Sequence, residues 1–226
     1  MRRLSPFLLL FVVSAPLGAQ IGFPTPPYDD QHWSVTMGFT PIAWVSGGVS
    51  RLMNSNGEGV AMGVRRRVRE SRLWLGLELE AWLVPANAAG VDWLAARSQI
   101  PNVYSGSGGD FTSSNFTLSA RYDLRRLGPA VAYGLAGVGI ADYDGFLNGV
   151  CTSYPDPCEH PATKVGMPGV GSVGTAGVGA LIRVFKVDGI WRVFLPSTFY
   201  AEARITNQGT PDGRLTTTPF QFGFAW

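Results

Sequence analysis

The feature that most constrains the fold is the end of the sequence, residues 216–226, which reads Thr-Thr-Thr-Pro-Phe-Gln-Phe-Gly-Phe-Ala-Trp. Large aromatic side chains occupy every second position from Phe220 to Trp226, and small or polar residues lie between them. A period of two is that of a β-strand, whereas an α-helix repeats every 3.6 residues. The segment is therefore predicted to be a strand with one strongly apolar face, which is stable only as part of a larger sheet.

Residues 1–19 are predicted to be an export signal that is cleaved from the mature protein. A positively charged start precedes an apolar run from Leu4 to Val13, and small residues up to Ala19 form the expected cleavage region. The run is too short to span a bilayer, which needs about 20 apolar residues. Residues 20–31 are proline-rich and are predicted to be a leader, which leaves residues 32–226 as a single domain.

Composition and charge exclude several classes of protein. Glycine accounts for 29 of the 226 residues, which disfavours helices and suits twisted strands and turns. No other stretch approaches 18 consecutive apolar residues, so any membrane crossing must be made by a closed β-barrel. The formal net charge of +2 gives no basis for nucleic-acid binding. An arginine cluster from Arg65 to Arg72 is interpreted as a solvated turn at a lipid headgroup boundary.

Seven further segments have the composition of strands, most of them with apolar and polar residues in alternation. In the clearest, leucines at every second position face one way while Glu78 and Glu80 face the other, whereas a helix would mix the two classes on one face. In the first segment Pro41 removes a ladder donor, which predicts a β-bulge. The predicted strands are Trp33 to about Val45, Glu58–Val68, Arg72–Val84, Phe111–Leu124, Ala130–Ala141, Val170–Phe185, Trp191–Ile205 and residues 216–226.

The connections between the predicted strands differ in length. The first, third, fifth and seventh are predicted to be loops, of which the largest runs from Pro85 to Asp110, another from Tyr143 to Met167 and the last from Asn207 to Gly213. The second, fourth and sixth are predicted to be short turns, and the sixth carries the Asp-Gly hairpin signal within Lys186 to Gly189. Short turns at one end and long loops at the other are typical of up-and-down outer-membrane barrels.

The chain therefore resembles the small eight-stranded bacterial outer-membrane β-barrels, such as the OmpA-type transmembrane domain and the OmpW-like or porin-family barrels. The alternate aromatics Phe220, Phe222, Phe224 and Trp226 are similar to the C-terminal signal of that family, with Trp in place of the commoner terminal Phe. The resemblance implies an all-β, eight-stranded antiparallel transmembrane barrel in the outer membrane. It also implies lipid and the barrel-assembly machinery as partners, with a possible external partner at the long loops.

The polar rows of the strands predict the content of the barrel interior. An eight-stranded barrel has room inside only for side chains. If the apolar rows face lipid, the opposite rows bring acids and bases together, which avoids the cost of an unpaired buried charge. The predicted lumenal ion-pair network consists of Glu78, Glu80, Arg121, Asp123, Glu202 and Arg204. The alternative is a soluble, lipocalin-like barrel that binds an apolar ligand, with Leu75, Leu77 and Phe222 inside and the charges in water.

Two cysteines lie in the third long loop. Cys151 and Cys158 flank a turn-prone insert, and in an exported protein this pattern predicts a disulfide that closes a small external loop. The alternative is a metal site formed by the two cysteines with the neighbouring Glu159 and His160, because thiolates and imidazoles are suitable ligands.

The sequence predicts no enzyme and no cofactor. For neither His32 nor His160 does the sequence identify a Ser or Cys nucleophile together with a placed carboxylate. Residues 169–174 match the G-x-G-x-x-G pattern, but residues 175–179 have a poor helix-forming sequence, and the dinucleotide motif needs a strand, the loop and then a helix. The predicted function is a structural or surface-interaction role, with a narrow porin-like channel for small solutes as the alternative.

Overall fold

The computed structural model describes residues 32–69, 71–98, 108–148, 163–165, 170–184, 195–210 and 213–226. Its long strands are β1 (Trp33–Gly47), β2 (Asn56–Arg67), β3 (Leu73–Pro85), β4 (Gly109–Leu127), β5 (Ala130–Leu147), β7 (Val170–Arg183), β8 (Thr198–Thr210) and β9 (Gly213–Ala225), and a short strand β6 (Thr163–Val165) pairs with β5. A 3-10 helix (Ser50–Leu52) follows β1, and helix α1 (Ala88–Arg97) follows β3. The predicted signal and leader lie outside the described residues.

The eight long strands form a closed antiparallel barrel. Each pairs with its sequence neighbours, and β9 closes the ring by pairing with β1. At the closure, the backbone N–H groups of Val35 and Trp226 each donate to the other residue's carbonyl oxygen, at 3.2 and 2.9 Å. Closure removes the unpaired sheet edges that cannot face lipid. The predicted fold class is confirmed.

Among the described residues, two β-bulges interrupt the ladders. The register of β1 against β2 shifts between Thr40 and Ala43, which places the bulge at Pro41 as predicted. A second shift lies between Asp123 and Arg125 on β4, where the sequence carries no such marker. A bulge inserts one extra residue and changes the direction in which the following side chains point. The second bulge therefore alters the side-chain arrangement at one end of the barrel.

The segment from residue 85 to residue 110, predicted to be an unstructured loop, contains helix α1. Asn87 caps this helix, because its side-chain oxygen accepts a hydrogen bond from the Gly90 N–H at 3.0 Å. Only Gly90 and Leu94 are buried within its 10 residues. So few buried positions give too weak an apolar period to predict the helix from sequence.

Strands β5 and β8 extend furthest beyond their predicted ends. β5 continues to Leu147 and β8 to Thr210, so the loop predicted from residue 207 shrinks to residues 211–212 between β8 and β9. The extension of β8 is polar, but backbone pairs such as Asn207 with Thr216 continue the ladder regardless of side chain. At the opposite end β8 begins at Thr198, after Pro196, and the predicted sixth turn with its Asp-Gly signal lies outside the described residues.

The barrel places its apolar rows outward and its charged rows inward. Leu75, Leu77 and Phe222 are 47, 48 and 37% exposed, whereas Glu78 and Arg121 are 2 and 1% exposed. This is the reverse of the soluble alternative. Along β4 the outward apolar row runs from Phe116 to Leu124, a length that suits the about 9 to 11 residues of a tilted membrane strand. Among the described residues, no helix has the length and apolarity that a membrane crossing requires.

Candidate functional site

Side chains fill the lumen in successive layers along the barrel axis. Inward side chains of β3 lie in these layers one after another along the axis. They are Trp74, Glu78, Glu80, Trp82 and Val84, and all are buried. We call the end near Trp74 the short-turn end, where residues 68–72 and 128–129 connect the strands, and the other the long-loop end. An aromatic layer, an ionic layer, an amide layer and an apolar layer follow one another from the short-turn end to the long-loop end.

Arg204 lies at the centre of the ionic layer. Its guanidinium pairs with Glu78, with Nη1 2.6 Å from Oε2, and also with Glu80 and Glu202. Arg65 pairs with the other oxygen of Glu78. In the ring order of the barrel β3 and β8 are opposite each other, so the pairs of Arg204 with Glu78 and Glu80 cross the lumen. The layer thus joins opposite walls by buried ion pairs.

A second charged pair lies nearer the short-turn end. Arg121 Nε is 3.2 Å from Asp123 Oδ1, and the Arg121 guanidinium lies 4.6 Å from the Trp74 ring centroid. Trp74 Nε1 donates a hydrogen bond to Asp123 Oδ2 at 3.0 Å. Tyr133 lies 5.4 Å from the same guanidinium and donates its hydroxyl proton to Glu202 Oε2 at 2.7 Å. Tyr133 therefore links the second pair to the ionic layer.

All six residues of the predicted network, from Glu78 to Arg204, lie on the lumenal side of the barrel. Arg65 and Tyr133 belong to the same contact network but are absent from the predicted set. Interpreting Arg65 as part of a solvated turn is wrong, because this residue lies on the inward row of β2 and is 4% exposed. The sequence contains the information needed to place Arg65 correctly, because the strand alternation that places Val64 outward places Arg65 inward.

An amide layer lies between the ionic layer and the long-loop end. Gln208 Nε2 donates to Asn115 Oδ1 at 3.0 Å, and Ser113 Oγ lies 3.0 Å from both Asn115 Oδ1 and Gln208 Oε1. All three residues are buried. The layer connects β4 with β8 through neutral hydrogen bonds.

An apolar cluster, which we call the apolar cap, fills the lumen at the long-loop end. The rings of Phe111 and Tyr143 stack with centroids 5.8 Å apart, and Trp93 of α1 packs against Phe111 at 6.1 Å. The Asn87 amide nitrogen donates to the carbonyl oxygens of Arg51 and Met53, which ties α1 to the 3-10 helix region. The buried members are Val49, Leu52, Met53, Val84, Leu94, Phe111, Tyr143, Leu147, Val165 and Leu215.

Glycines on the inward rows make room for the lumenal aromatics. A Cβ on Gly179 of β7 would lie 2.5 Å from Tyr133 Cζ, and one on Gly59 of β2 would lie 2.6 Å from Trp82 Cε3. The rings thus pack directly on the backbone of the neighbouring strand, since Tyr133 pairs with Gly179 and Trp82 with Gly59. The position of Tyr133, and with it the bond to Glu202, depends on the absence of a side chain at residue 179.

Gly179→Ala is expected to destabilise the barrel by about 1–3 kcal/mol, because the added methyl must displace the Tyr133 ring. Gly174→Ala on the same strand is the matched control, since a Cβ there meets no atom within 4 Å. Urea unfolding in detergent micelles, followed by tryptophan fluorescence, measures both. Equal stability of the two variants would show that Tyr133 does not pack on Gly179.

Three of the four C-terminal aromatics lie on strand β9. Phe220, Phe222 and Phe224 face outward on β9 and are exposed, and Trp226 is partly buried beside β1. Phe222 contacts Phe39 edge-on, with ring centroids 6.3 Å apart. Their role as an assembly signal stays a prediction.

Several other predicted sites lie partly or wholly outside the described residues. The predicted disulfide between Cys151 and Cys158 lies outside them, and so does the alternative metal site that adds Glu159 and His160. Within the described ranges, no group of three or more His, Cys, Asp or Glu residues is placed to hold a metal ion. The G-x-G-x-x-G pattern runs into strand β7, where Gly171 pairs with Ala141 of β5, so the helix that a dinucleotide site needs is not formed there.

Comparison with solved structures supports the fold. Neisserial surface protein A matches with a TM-score of 0.52 at 12% identity, over 86% of this chain and 97% of that protein. Ail, the attachment invasion locus protein of Yersinia pestis, matches with a TM-score of 0.42 at 13% identity, over 86% and 97% of the two chains. No protein-family model matches the sequence, and no curated protein matches it either. The fold is that of the small eight-stranded outer-membrane β-barrels.

Proposed function

We propose that this protein is a non-conducting barrel of the bacterial outer membrane, whose role is structural and surface-interacting. The observation that carries the proposal is Arg204, which bridges opposite walls of the lumen through Glu78 and Glu80. Outward apolar rows require lipid around the barrel, and in bacteria closed barrels of this fold reside in the outer membrane.

Three features support a closed lumen. The ionic layer crosses the interior, Trp74 is fully buried at the short-turn end, and the apolar cap fills the long-loop end. A hydrated ion would have to displace buried guanidinium–carboxylate pairs, which is costly because separating such a pair leaves an uncompensated charge. A narrow channel, the alternative function, requires that these pairs open.

The long-loop end has the features of an interaction platform. β4 and β5 are 19 and 18 residues long, which exceeds the length needed to cross a bilayer, so the start of β4 and the end of β5, which pair from Gly109 with Leu147 onward, project beyond the apolar rows. Helix α1 and the apolar cap pack against this projection. An external partner would bind here, while the outer-membrane lipid and the assembly machinery would contact the outward rows and β9. We expect no enzymatic activity, no cofactor and no nucleic-acid partner.

Single-channel recording in planar lipid bilayers tests the closed lumen. We expect no steady conductance from the wild-type protein, and ion conductance from the double variant Arg65→Ala/Glu78→Ala, which removes two lumenal side chains without changing net charge. The matched control is Glu58→Ala/Arg66→Ala, which removes the same charges from exposed positions of the same strand region and should stay silent.

A gel comparison of boiled and unboiled samples confirms that each variant is folded before recording. Steady wild-type conductance would support the narrow channel and contradict the proposal. Silence of the folded lumenal double variant would show that Arg65 and Glu78 are not needed to close the lumen, which Arg204 and Glu80 still cross.

A further inference from the structure

Two buried polar side chains lie in the lumen beside the bulge at Pro41. Thr40 on β1 and Gln221 on β9 are each 0% exposed. Among the described residues, no hydrogen-bond partner contacts the Thr40 hydroxyl, the Gln221 amide oxygen or the Gln221 amide nitrogen. Leaving a buried polar atom without a partner is costly, so such atoms in folded proteins are nearly always bonded to another group or to an ordered water.

The bulge brings these two side chains together. The register of β1 against β9 shifts between Phe39 and Ile42, so that two residues, Thr40 and Pro41, lie opposite the single residue Gln221. Pro41 is exposed on the outer side, whereas Thr40 shares the lumenal side with Gln221. Side chains opposite each other on one face of an antiparallel pair have Cβ atoms about 4.5–5.5 Å apart. One small molecule can therefore bond to both polar groups.

Two aromatic rings enclose the space over Thr40. Gly38 is the preceding residue on the same inward row, and a Cβ there would collide with the Tyr200 hydroxyl. Gly59 is the register partner of Thr40 on β2, and a Cβ there would lie 2.6 Å from Trp82 Cε3. Tyr200 and Trp82 thus cover the backbone on two sides of Thr40, which shuts this space off from the rest of the lumen.

The chemistry of the unpartnered groups selects a neutral ligand. The Gln221 amide supplies both donors and an acceptor, and the Thr40 hydroxyl can act as either. An anion would bond only to the donors and a cation only to the acceptors, so each would leave part of this set unsatisfied. Water has two donors and two acceptors, and an internal water typically makes about three hydrogen bonds to buried polar groups of this kind.

We propose that an internal water molecule binds between Thr40 and Gln221 and hydrogen-bonds to both. The site lies on the wall formed by β1 and β9, beside the ionic layer. Glu202, the register partner of Gln221 on β8, keeps its hydrogen bond from Tyr133 and its pair with Arg204. The water satisfies the polar side chains that the bulge brings together, and it leaves the ion pairs across the lumen unchanged.

A double-mutant cycle tests the bridge by urea unfolding in detergent micelles. If the amide were dry and unpartnered, Gln221→Leu would raise the urea midpoint, because it removes a buried polar group that makes no bond. We expect Gln221→Leu and Thr40→Val each to lower the midpoint, because the water loses a partner. The double variant should lower it by less than the sum of the two shifts, because both side chains bond to one water.

Thr36→Val is the matched control for this cycle. Thr36 is a buried, inward-facing threonine of the same strand, but its hydroxyl already donates to the Gly63 carbonyl oxygen at 3.4 Å. The midpoint shifts of Thr36→Val and Gln221→Leu should therefore add. A raised midpoint for Gln221→Leu would overturn the proposal, and so would additive shifts for Thr40→Val and Gln221→Leu.

X-ray hydroxyl-radical footprinting of the folded, full-length protein detects the water directly, because radicals formed from an internal water oxidise the side chains nearest to it. We expect Tyr200 to be oxidised in the wild type although it is 4% exposed, and its oxidation to fall in Thr40→Val/Gln221→Leu. Trp74, which is buried at the short-turn end, is the internal reference and should not change. Equal oxidation of Tyr200 in the two proteins would overturn the proposal.

Discussion

Arg204→Leu is expected to lower the free energy of unfolding by about 3–5 kcal/mol, the cost of removing one partner from a buried ion pair. The guanidinium pairs with Glu78, Glu80 and Glu202, each of which is buried. Arg65 continues to pair with Glu78 in the variant, but Glu80 and Glu202 lose this cation. The carboxylates must then repel each other, take up protons or draw water into the lumen.

Urea unfolding in detergent micelles, with refolding to demonstrate reversibility, measures the effect. Arg214→Leu is the matched control because Arg214 is an exposed residue of β9, and we expect a change of within about 0.5 kcal/mol there. Adding Glu80→Gln to Arg204→Leu should restore part of the loss, since it removes one of the two carboxylates without a cation. A loss below about 1 kcal/mol for Arg204→Leu would contradict a dry, fully paired ionic layer.

Leu79→Arg is expected to destabilise the folded barrel in lipid vesicles by about 2–4 kcal/mol, the cost of a guanidinium near the bilayer midplane on the outer face of a barrel. Leu79 lies near the middle of the outward leucine row of β3 and is 56% exposed. In water, an exposed leucine could be replaced by arginine at little cost. The prediction therefore depends on lipid around the barrel.

Leu83→Arg provides the control for position along the same row. Leu83 lies near the long-loop end of β3 and pairs with Glu58 of β2, so the new charge reaches the headgroup region and an acidic neighbour. We expect a change of about 0–1 kcal/mol there. Equal losses of unfolding free energy for the variants at positions 79 and 83 in vesicles would contradict the assignment of the outward leucine row to the membrane-spanning surface.

The alternation of side chains was sufficient to predict most of the barrel. Leu75 and Leu77 lie outward and Glu78 and Glu80 inward because a strand has a strict period of two, and one face must meet lipid while the other meets the lumen. The bulge at Pro41 is predictable from the sequence because proline has no backbone N–H to donate to the ladder. These predictions need only local information.

The features that sequence analysis missed depend on tertiary contacts. Helix α1 is held by Asn87, which bonds to backbone groups near the 3-10 helix, and this contact leaves no periodic pattern in the sequence. The polar end of β8 is a strand because β9 pairs with it, although its composition resembles that of a loop. The error at Arg65 has a different cause. The cluster of arginines beside a predicted turn suggests solvent exposure, whereas the strand alternation places Arg65 on the inward row.

The central claim is that the outward rows contact acyl chains while the charged rows meet inside the lumen. Spin labels placed singly at Phe116, Thr117, Leu118 and Ser119, in a Cys151→Ser/Cys158→Ser background in lipid vesicles, test it most directly. We predict frequent collisions with oxygen and few with a water-soluble nickel complex at residues 116 and 118, and few collisions with either at 117 and 119. Frequent collisions with the nickel complex at 116 and 118 would place these side chains in water and contradict the account.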